Sequence, residues 1–352
     1  MGYLNEKGIA MRRLFYGGVA RHQEMGVWTV DRGVPQVVRG RTISQTGWGS
    51  REQLLQAAVC SKEPAVPQLW LCGGNGELPP VYQRYVASGV EMRTIRRHGR
   101  AVGVAYQDDF AEYCLLTGVL PSDLAASREA QTTAVFEGIE DALSDAGMTF
   151  ADVVRTWLYM DNILDWYDPF NRARDAFFKS RAVYDGLVPA STGIGSANLY
   201  GSAITACAIA LKPRQPSAVT VEPIPSPLQC AALEYGSSFS RAVEIGTPEC
   251  RTLMVSGTAS IEPGGATAHV NDVPRQIQLT MDVTEAILAS RGMGWRNVTR
   301  AIMYLKKAAY MPEWQEWLRT HCLERLPLIT IEADVCRDDL LVEIEVDAIK
   351  RA

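Results

Sequence analysis

The sequence predicts an α+β protein built around two copies of one ββαβαββ unit. The first observation behind this prediction is an internal repeat, because residues 129–162 and 274–307 match at a constant offset of 145 positions, as Gln131 and Gln276 show. The second is that each copy changes from helical periodicity to the two-residue alternation of a strand. The third is an alternating strand at residues 338–350, close to the end of the chain.

Each copy is predicted to contain the same elements in the same order. Two strands come first, followed by an amphipathic helix that ends at a glycine, Gly147 or Gly292. A third strand, a second helix and two further strands complete the copy. The predicted elements are 100–106, 112–121, 129–146, 153–161, 168–181, 191–199 and 202–211 in the first copy, and 240–246, 252–261, 274–291, 298–306, 311–325, 329–335 and 340–349 in the second.

Proline and serine are concentrated between the two copies, in residues 211–229, and this composition is typical of a linker. We therefore expect a central domain at residues 101–213 and a C-terminal domain at residues 222–352. Residues 1–100 show no clear copy of the repeat, and we interpret them as a diverged N-terminal domain. The length of 352 residues is comfortable for three domains of this size.

The composition is that of a soluble globular protein, with 47% hydrophobic and 21% charged residues. A net charge of −5 and the absence of basic runs argue against nucleic acid as a partner. No apolar stretch approaches the ~20 residues of a membrane span, and the N-terminus lacks a signal-peptide core, so we expect a cytoplasmic protein. The eight cysteines have no CxxC spacing and the four histidines do not pair at metal-ligand spacing, so we expect no zinc site.

The last predicted strand places three carboxylates on one face. Glu343, Glu345 and Asp347 alternate with apolar residues that point the other way. The matching positions of the first copy are Thr205, Cys207 and Ile209, so the acidic face belongs to one copy only. Such a face either contacts water or lines a cavity, where neighbouring like charges and desolvation would raise the pKa of one carboxyl.

Arginines on the repeat elements are candidates for binding an anionic ligand. Arg155 shares a strand face with Tyr159, and Arg300 is its equivalent in the second copy. Arg174 lies on an apolar helical stripe, where an arginine either reaches the surface along its aliphatic stem or pairs with an anion. Thr192 and Gly193 offer a hydroxyl and open backbone amides, although a glycine-rich strand bend accounts for them equally well.

Several segments resemble the Rid (YjgF) fold. They include the strand at 256–261 (SGTASI), the run at 146–171, the Pro-Ala pair at 189–190 and the final VEIEVDAI at 342–349. Rid proteins are homotrimers with ligand sites between subunits. The resemblance therefore implies that the three domains form an intramolecular pseudo-trimer and that the chain is a monomer. It also implies that Ser256 and Gly257 line a ligand cleft.

The tandem arrangement and several motifs resemble the chorismatase family more closely. These motifs are RTWLYMDNILDWYDPFN (155–171), PASTGIG (189–195) and the segment from Cys336 to Glu343. The resemblance implies a cofactor-free enzyme that cleaves chorismate between its central and C-terminal domains, with Glu343 as the acid. Catalytic roles then fall to Glu343 and Cys336, and substrate binding to Arg155, Tyr159, Arg174, Thr192, Gly193, Ser256, Gly257 and Arg300.

The resemblance to chorismatases also implies the product, through the position of Cys336. A cysteine seven residues before the acid is typical of chorismatases that form 3-hydroxybenzoate through a transient arene oxide, whereas hydrolytic members form a dihydroxycyclohexadiene carboxylate. Two other functions stay open. A Rid-type imine deaminase would need arginine after Pro-Ala, where this chain has Ser191 and Leu328. The remaining alternative is a Rid-like protein that binds a metabolite without catalysis.

Overall fold

Three β-sheets carry the described part of the chain. The structure is a computed structural model, and it describes residues 3–4, 10–18, 21–31, 41–60, 66–74, 77–88 and 90–352. The α+β class predicted from the repeat is confirmed, because each sheet is interrupted in sequence by helices.

The N-terminal sheet is formed mainly by residues 3–88. Its elements are β1 (Tyr3–Leu4), β2 (Ala10–Gly18), β3 (Arg21–Asp31), β4 (Arg41–Gly49), α1 (Arg51–Cys60), β5 (Gln68–Cys72) and β6 (Val81–Ser88). The strand order is β1-β2-β3-β6-β4-β5, and β4 and β5 are parallel.

The central sheet contains the first copy of the repeat. Its elements are β7 (Met92–Arg97), β8 (Arg100–Gln107), β9 (Ala111–Val119), α2 (Arg128–Asp145), β10 (Val153–Met160), α3 (Tyr167–Ser180), β11 (Ala190–Gly195), β12 (Ala197–Asn198) and β13 (Ile204–Pro213). The order is β7-β8-β9-β13-β10-β11, so the sheet begins with a strand that lies before residue 100. The short strand β12 instead pairs with β5 and joins the N-terminal sheet.

The C-terminal sheet contains the second copy. Its elements are β14 (Thr220–Ile224), β15 (Ala242–Gly246), β16 (Cys250–Ala259), α4 (Val273–Ser290), β17 (Val298–Leu305), α5 (Met311–Thr320), β18 (Leu328–Glu332) and β19 (Val342–Arg351). The order is β14-β15-β16-β19-β17-β18. The edge strand β14 lies inside the proline-rich stretch that was predicted to be a linker.

All three sheets share one strand order, which the sequence of the first 100 residues did not reveal. In each sheet the last strand of the unit (β6, β13 or β19) lies in the middle. It pairs with the strand that precedes the last helix of the unit (β4, β10 or β17). The N-terminal unit departs from the other two between β3 and β4. Nine positions separate these two strands, whereas the 18-residue helices α2 and α4 stand between the corresponding strands of the other two units.

The repeated glutamines have the same structural task in both copies. Gln131 donates from Nε2 to the carbonyls of Leu124 and Ala126, both at 3.0 Å, and its Oε1 accepts from the Ala203 amide. Gln276 likewise donates to the Asp339 carbonyl at 2.8 Å and accepts from the Leu341 amide at 2.8 Å. Each buried amide therefore ties its helix to the entry of the middle strand and satisfies backbone groups that lie away from water.

The repeated glycines end the first helix of each copy, as predicted. Gly147 and Gly292 have φ angles of 74° and 66°, in the left-handed region that favours glycine. The next amides, of Met148 and Met293, donate back to the carbonyls of the last helical turn.

The three sheets meet in one apolar cluster. β4, β10 and β17 each contribute one aromatic residue to it: Trp48, Tyr159 and Tyr304, respectively. These three occupy equivalent positions, because each pairs with an apolar residue of the next parallel strand: Leu71, Ile194 and Ile331. The further members come from these strands and their neighbours and include Trp157, Cys207, Ile302 and Ile329. A shared core of this kind is what an intramolecular pseudo-trimer requires, and that arrangement stays a prediction.

Candidate active site

Strand β19 brings Glu343 and Glu345 into the protein interior. It lies between β16 and β17, where Glu343 is opposite Ala259 and Tyr304. Glu343 is 5% exposed and Glu345 is fully buried. The acidic face of the last strand therefore does not face water, which decides between the two interpretations of its alternating pattern.

Glu345 is the centre of a buried ionic group. It accepts hydrogen bonds from Arg155 Nη2 at 2.9 Å, from Trp157 Nε1 at 2.9 Å and from Arg300 Nη2. Burial alone would raise the pKa of Glu345, but the Arg300 and Arg155 guanidiniums outweigh that effect and hold it below its ordinary value. Glu345 is thus an ionised carboxylate with partners from both repeat copies.

Glu343 has the opposite ionisation. Burial, reinforced by the negative charge of Glu345, raises the pKa of Glu343 to about 8, although Arg155 acts in the other direction. The backbone of Gly257 lies so close that a Cβ atom built there would overlap Glu343 Oε1, and only glycine leaves room for the carboxyl. Glu343 is therefore a protonated carboxylic acid near neutral pH.

Strands β11 and β16 join the central and C-terminal sheets beside this acid. Thr192 Oγ1 accepts from the Gly257 amide at 3.0 Å and from Arg155 Nη2 at 2.6 Å. The Ser191 amide donates to Ser256 Oγ at 2.9 Å. We name the place where these strands meet the Glu343 junction, comprising Glu343, Thr192, Gly193, Ser256 and Gly257.

Cys336 and Tyr167 flank the junction. Burial, with a further contribution from Glu343, raises the pKa of the Cys336 thiol to about 12. Burial also raises the pKa of Tyr167, and the charge of Glu343 and the thiol of Cys336 add to that shift. Both groups therefore remain protonated beside the acid. Cys336 packs against the core of the central domain as well as against Ala259 and Leu340 of its own domain.

Arg174 points inward from α3. It is 3% exposed, so it does not reach the surface along its aliphatic stem. Nη2 donates to Asn171 Oδ1 at 2.7 Å, the guanidinium lies 5.0 Å from the centre of the Phe170 ring, and Nε has no hydrogen-bond partner. A buried arginine without a carboxylate is costly, and an anionic ligand would complete its hydrogen bonding.

Arg241 was missed by the sequence analysis. It is 4% exposed, and its Nε and Nη2 donate to the Cys230 carbonyl at 3.0 and 2.9 Å. The rings of Tyr235 and Phe239 lie 5.3 and 5.6 Å from the guanidinium. Carbonyl and ring contacts therefore hold the Arg241 guanidinium, and no carboxylate of the described residues forms an ion pair with it.

Two predicted substrate ligands lie away from the junction surface. Arg300 is 1% exposed and contacts Glu345, Asp347 and Gln83, so it is held within the interior ionic group. Tyr159 packs in the apolar cluster between the three sheets. Arg155 bridges the two regions, because one nitrogen contacts both Glu345 and Thr192.

Within the described residues, no cluster of three or more histidine, cysteine, aspartate or glutamate side chains has the arrangement of a metal site. The junction instead offers a neutral acid and hydroxyl groups. Arg174 and Arg241 add two cationic side chains nearby, because Tyr167 interacts with both Glu343 and Arg174, and Tyr235 with both Cys336 and Arg241. This set can transfer a proton to a dianionic small molecule while its arginines bind the carboxylates.

Comparison with known proteins identifies the family. The model of the family described as "Endoribonuclease L-PSP" matches residues 109–205 and 230–350, together more than half of the chain. The chain belongs to this family. The two matched segments correspond to the two repeat copies, so the endoribonuclease L-PSP unit occurs twice in this protein.

The chain is also similar to two curated proteins of Streptomyces hygroscopicus. It is 29% identical to a 3-hydroxybenzoate synthase over 279 residues, which cover 70% of this chain and 77% of that protein. It is 28% identical to a chorismatase over 218 residues, which cover 55% of this chain and 60% of that protein. These similarities confirm the resemblance to the chorismatase family that the motifs indicated.

A solved structure extends the likeness to the whole fold. The crystal structure of a chorismatase at 1.08 Å resolution superposes with a TM-score of 0.69 and 20% sequence identity, covering 92% of this chain and 98% of that one. The chain therefore shares the fold of that chorismatase over nearly its full length. In the part of the chain that the structure describes, no helix combines the length and apolarity needed to cross a membrane.

Proposed function

We propose that this protein is a chorismatase that converts chorismate into pyruvate and 3-hydroxybenzoate. The observation that carries the proposal is the protonated carboxyl of Glu343, whose pKa is raised to about 8 between two domains that each supply a buried arginine. The names of the two curated relatives and the shared fold support the same assignment.

The first step is protonation of the enol ether. Glu343 transfers its proton to the terminal methylene carbon of the enolpyruvyl group, which becomes a methyl group, and the ether carbon becomes an oxocarbenium ion. A carboxylic acid serves this step well when its pKa is close to the working pH, because it then holds its proton and still releases it readily. An ordinary glutamate with a pKa near ~4.3 would be almost fully ionised at neutral pH.

The second step releases pyruvate. The bond between the ring carbon and the ether oxygen breaks, and its electron pair forms the keto group of pyruvate. The neighbouring ring hydroxyl attacks the same ring carbon and closes a transient arene oxide, and its proton returns to Glu343. The oxide then opens, and one ring proton is lost as the oxygen gains one, which gives 3-hydroxybenzoate. Atoms and charge therefore balance without added water.

Arginines from both domains bind the two carboxylates of chorismate in this proposal. Arg174 comes from the central domain and has a free Nε, and Arg241 comes from the C-terminal domain. Arginine suits this task because its planar guanidinium pairs with a carboxylate through two hydrogen bonds. Thr192, whose hydroxyl accepts from the Gly257 amide, lies beside Glu343 at the contact between the two domains.

In this proposal Cys336 determines which product forms from the ring. Its thiol stays neutral at physiological pH because its pKa is raised to about 12, so it acts as a weak hydrogen-bond donor rather than as a nucleophile. Next to the acid it excludes a water molecule from the ring and leaves the intramolecular hydroxyl as the only nucleophile. The intramolecular route then prevails over hydrolysis.

The test is incubation of the purified protein with chorismate, followed by chromatography of the products and assay of pyruvate. We expect equal amounts of pyruvate and 3-hydroxybenzoate. Formation of pyruvate together with a dihydroxycyclohexadiene carboxylate would show that the protein is a chorismatase of the hydrolytic subtype. If the intact protein releases no pyruvate from chorismate but hydrolyses an imine substrate, the proposal is overturned in favour of a deaminase.

A further inference from the structure

The Glu343 junction is closed in this structure. Glu343, Arg174 and Arg241 are 5%, 3% and 4% exposed, respectively. A substrate with two carboxylates and a six-membered ring cannot contact all three side chains unless a covering element moves. The sheets are continuous hydrogen-bonded ladders and are poor candidates for such movement.

One segment over the junction is not part of a sheet. Residues 225–241, which we name the strap, connect β14 to β15. The strap carries Tyr235, Ser237 and Arg241 toward the junction, and the Tyr167 hydroxyl interacts with the Ser237 side chain. Two of its leucines, Leu228 and Leu233, are 44% and 50% exposed. Apart from one short helical turn at Ala232–Tyr235, the strap has no regular secondary structure, and side-chain contacts rather than a β-ladder hold it in place, so it can open without breaking a sheet.

The two ends of the strap are fixed. Gln229 Nε2 donates to the carbonyls of Ala259 and Ile261, both at 3.0 Å, within the C-terminal domain. At the other end the Ser240 amide donates to the Pro189 carbonyl at 3.1 Å, and Ser240 Oγ donates to Val188 at 2.6 Å. The strap is thus a loop between two anchors, and movement is confined to the residues between them.

A polar trio holds the middle of the strap against the central domain. Ser238 Oγ donates to Asp175 Oδ1 at 2.6 Å, and the Tyr184 hydroxyl lies 2.7 Å from Ser238 Oγ and 3.1 Å from Asp175 Oδ1. Asp175 and Tyr184 belong to α3 and the turn after it, whereas Ser238 belongs to the strap. Asp175 directly follows Arg174, so one helix turn bears both a junction arginine and the bond to the strap.

We propose that Asp175, Tyr184 and Ser238 form a latch that closes the strap over bound substrate and so positions Ser237 and the Cys230 carbonyl that holds the Arg241 guanidinium. This inference rests on the proposed function for the identity of the substrate, but the closure itself does not depend on it. The latch residues are positioning residues, because they act through the strap and not on the reacting atoms. A hydrogen bond to a carboxylate is strong enough to keep the strap mostly closed and weak enough to open in each turnover.

Hydrogen–deuterium exchange of the full-length protein tests the latch without any substrate. We expect Ser238→Ala and Asp175→Asn to speed amide exchange in peptides from 230–240 by about tenfold, the effect of losing a charge-assisted hydrogen bond. Matched controls are Ser226→Ala at the start of the strap and Asp168→Asn, an exposed residue on α3. Both controls should exchange like the parent protein.

Steady-state kinetics with chorismate supply the second readout. A looser strap should raise KM about fivefold or more while kcat falls less, because the acid itself is untouched. Unchanged exchange in both latch variants would overturn the latch, whatever the kinetics. Faster exchange in a protein that does not turn over chorismate would keep the latch and refute the proposed substrate, so the two failures are distinguishable.

Discussion

Glu343 and Glu345 lie two residues apart on one strand, yet one is a neutral acid and the other an ionised carboxylate. The difference comes from their partners. Glu345 accepts from Arg155, Arg300 and Trp157, whereas no hydrogen bond to the Glu343 carboxyl is recorded among the described residues. The charge of Glu345 then helps to keep the proton on Glu343. Pairs of carboxyls with separated pKa values are a recurrent feature of acid catalysis.

The pKa of Glu343 predicts the pH dependence of the reaction. Because the protonated form is active, pyruvate release should be constant at lower pH and should fall as the pH rises through about 8. Glu343→Gln should lower kcat about 10³-fold or more, and Glu313→Gln on the exposed start of α5 is the matched control. A rate that increases above pH 8 would show that the ionised carboxylate is the working form.

The raised pKa of Glu343 also lowers the free energy of unfolding at high pH. Between the ordinary pKa of 4.5 and the folded pKa of about 8, the folded state holds a proton that the unfolded state releases. The free energy of unfolding therefore falls as pH rises through this window and levels off above it. Glu343→Gln should be more stable than the parent protein at pH 8.5, by an upper bound of about 5 kcal/mol, and should gain little at pH 4.5. Urea unfolding at both pH values measures the difference, and equal gains at both would exclude this cause.

Glu345→Gln should affect both stability and the pH profile. The change leaves Arg155 and Arg300 without their carboxylate, and breaking a buried pair costs about 3–5 kcal/mol. It also removes the negative charge that raises the pKa of Glu343, so the activity midpoint should move below pH 8. Thermal unfolding and a pH–rate profile of the surviving folded protein are the measurements. Glu262→Gln on an exposed turn of the same domain serves as control, and an unshifted midpoint would mean that burial alone sets the pKa of Glu343.

Replacement of the two junction arginines should separate substrate binding from chemistry. Arg174→Ala and Arg241→Ala should each raise KM for chorismate about 100-fold, the loss expected when a carboxylate loses a charged hydrogen-bond donor. Arg172→Ala, an exposed neighbour of Arg174 on α3, should leave KM unchanged. If either junction variant retains the parent KM, that arginine does not contact the substrate.

Cys336→Ala should change the product and not the rate of ether protonation. A smaller side chain beside the acid admits water, so a part of the product should become the dihydroxycyclohexadiene carboxylate while pyruvate release continues. Chromatography of the reaction mixture gives the ratio, and Cys322→Ala, at an exposed thiol, is the control. An unaltered yield of 3-hydroxybenzoate would show that the thiol does not select the route.

The repeat pattern predicted the architecture of the central and C-terminal units and the position of Glu343 because both depend on local periodicity. It did not reveal the N-terminal sheet, whose strands share an order but no recognisable sequence with the other two. Arg241 and Tyr235 were missed because they lie in a strap with no counterpart in the first copy. Arg155 and Arg300 were predicted to bind substrate, but both contact Glu345: Arg300 from a neighbouring strand of the same sheet, and Arg155 through the packing of one copy against the other.

A single continuous chain permits an arrangement that three identical subunits could not share. By strand register, Glu345 is equivalent to Cys207 of the central sheet and Gln83 of the N-terminal sheet, and Arg300 contacts both Glu345 and Gln83. In identical copies all three of these positions would carry a carboxylate. Covalent fusion lets each sheet diverge, so that one anion is balanced by two cations and a single proton donor is created beside it.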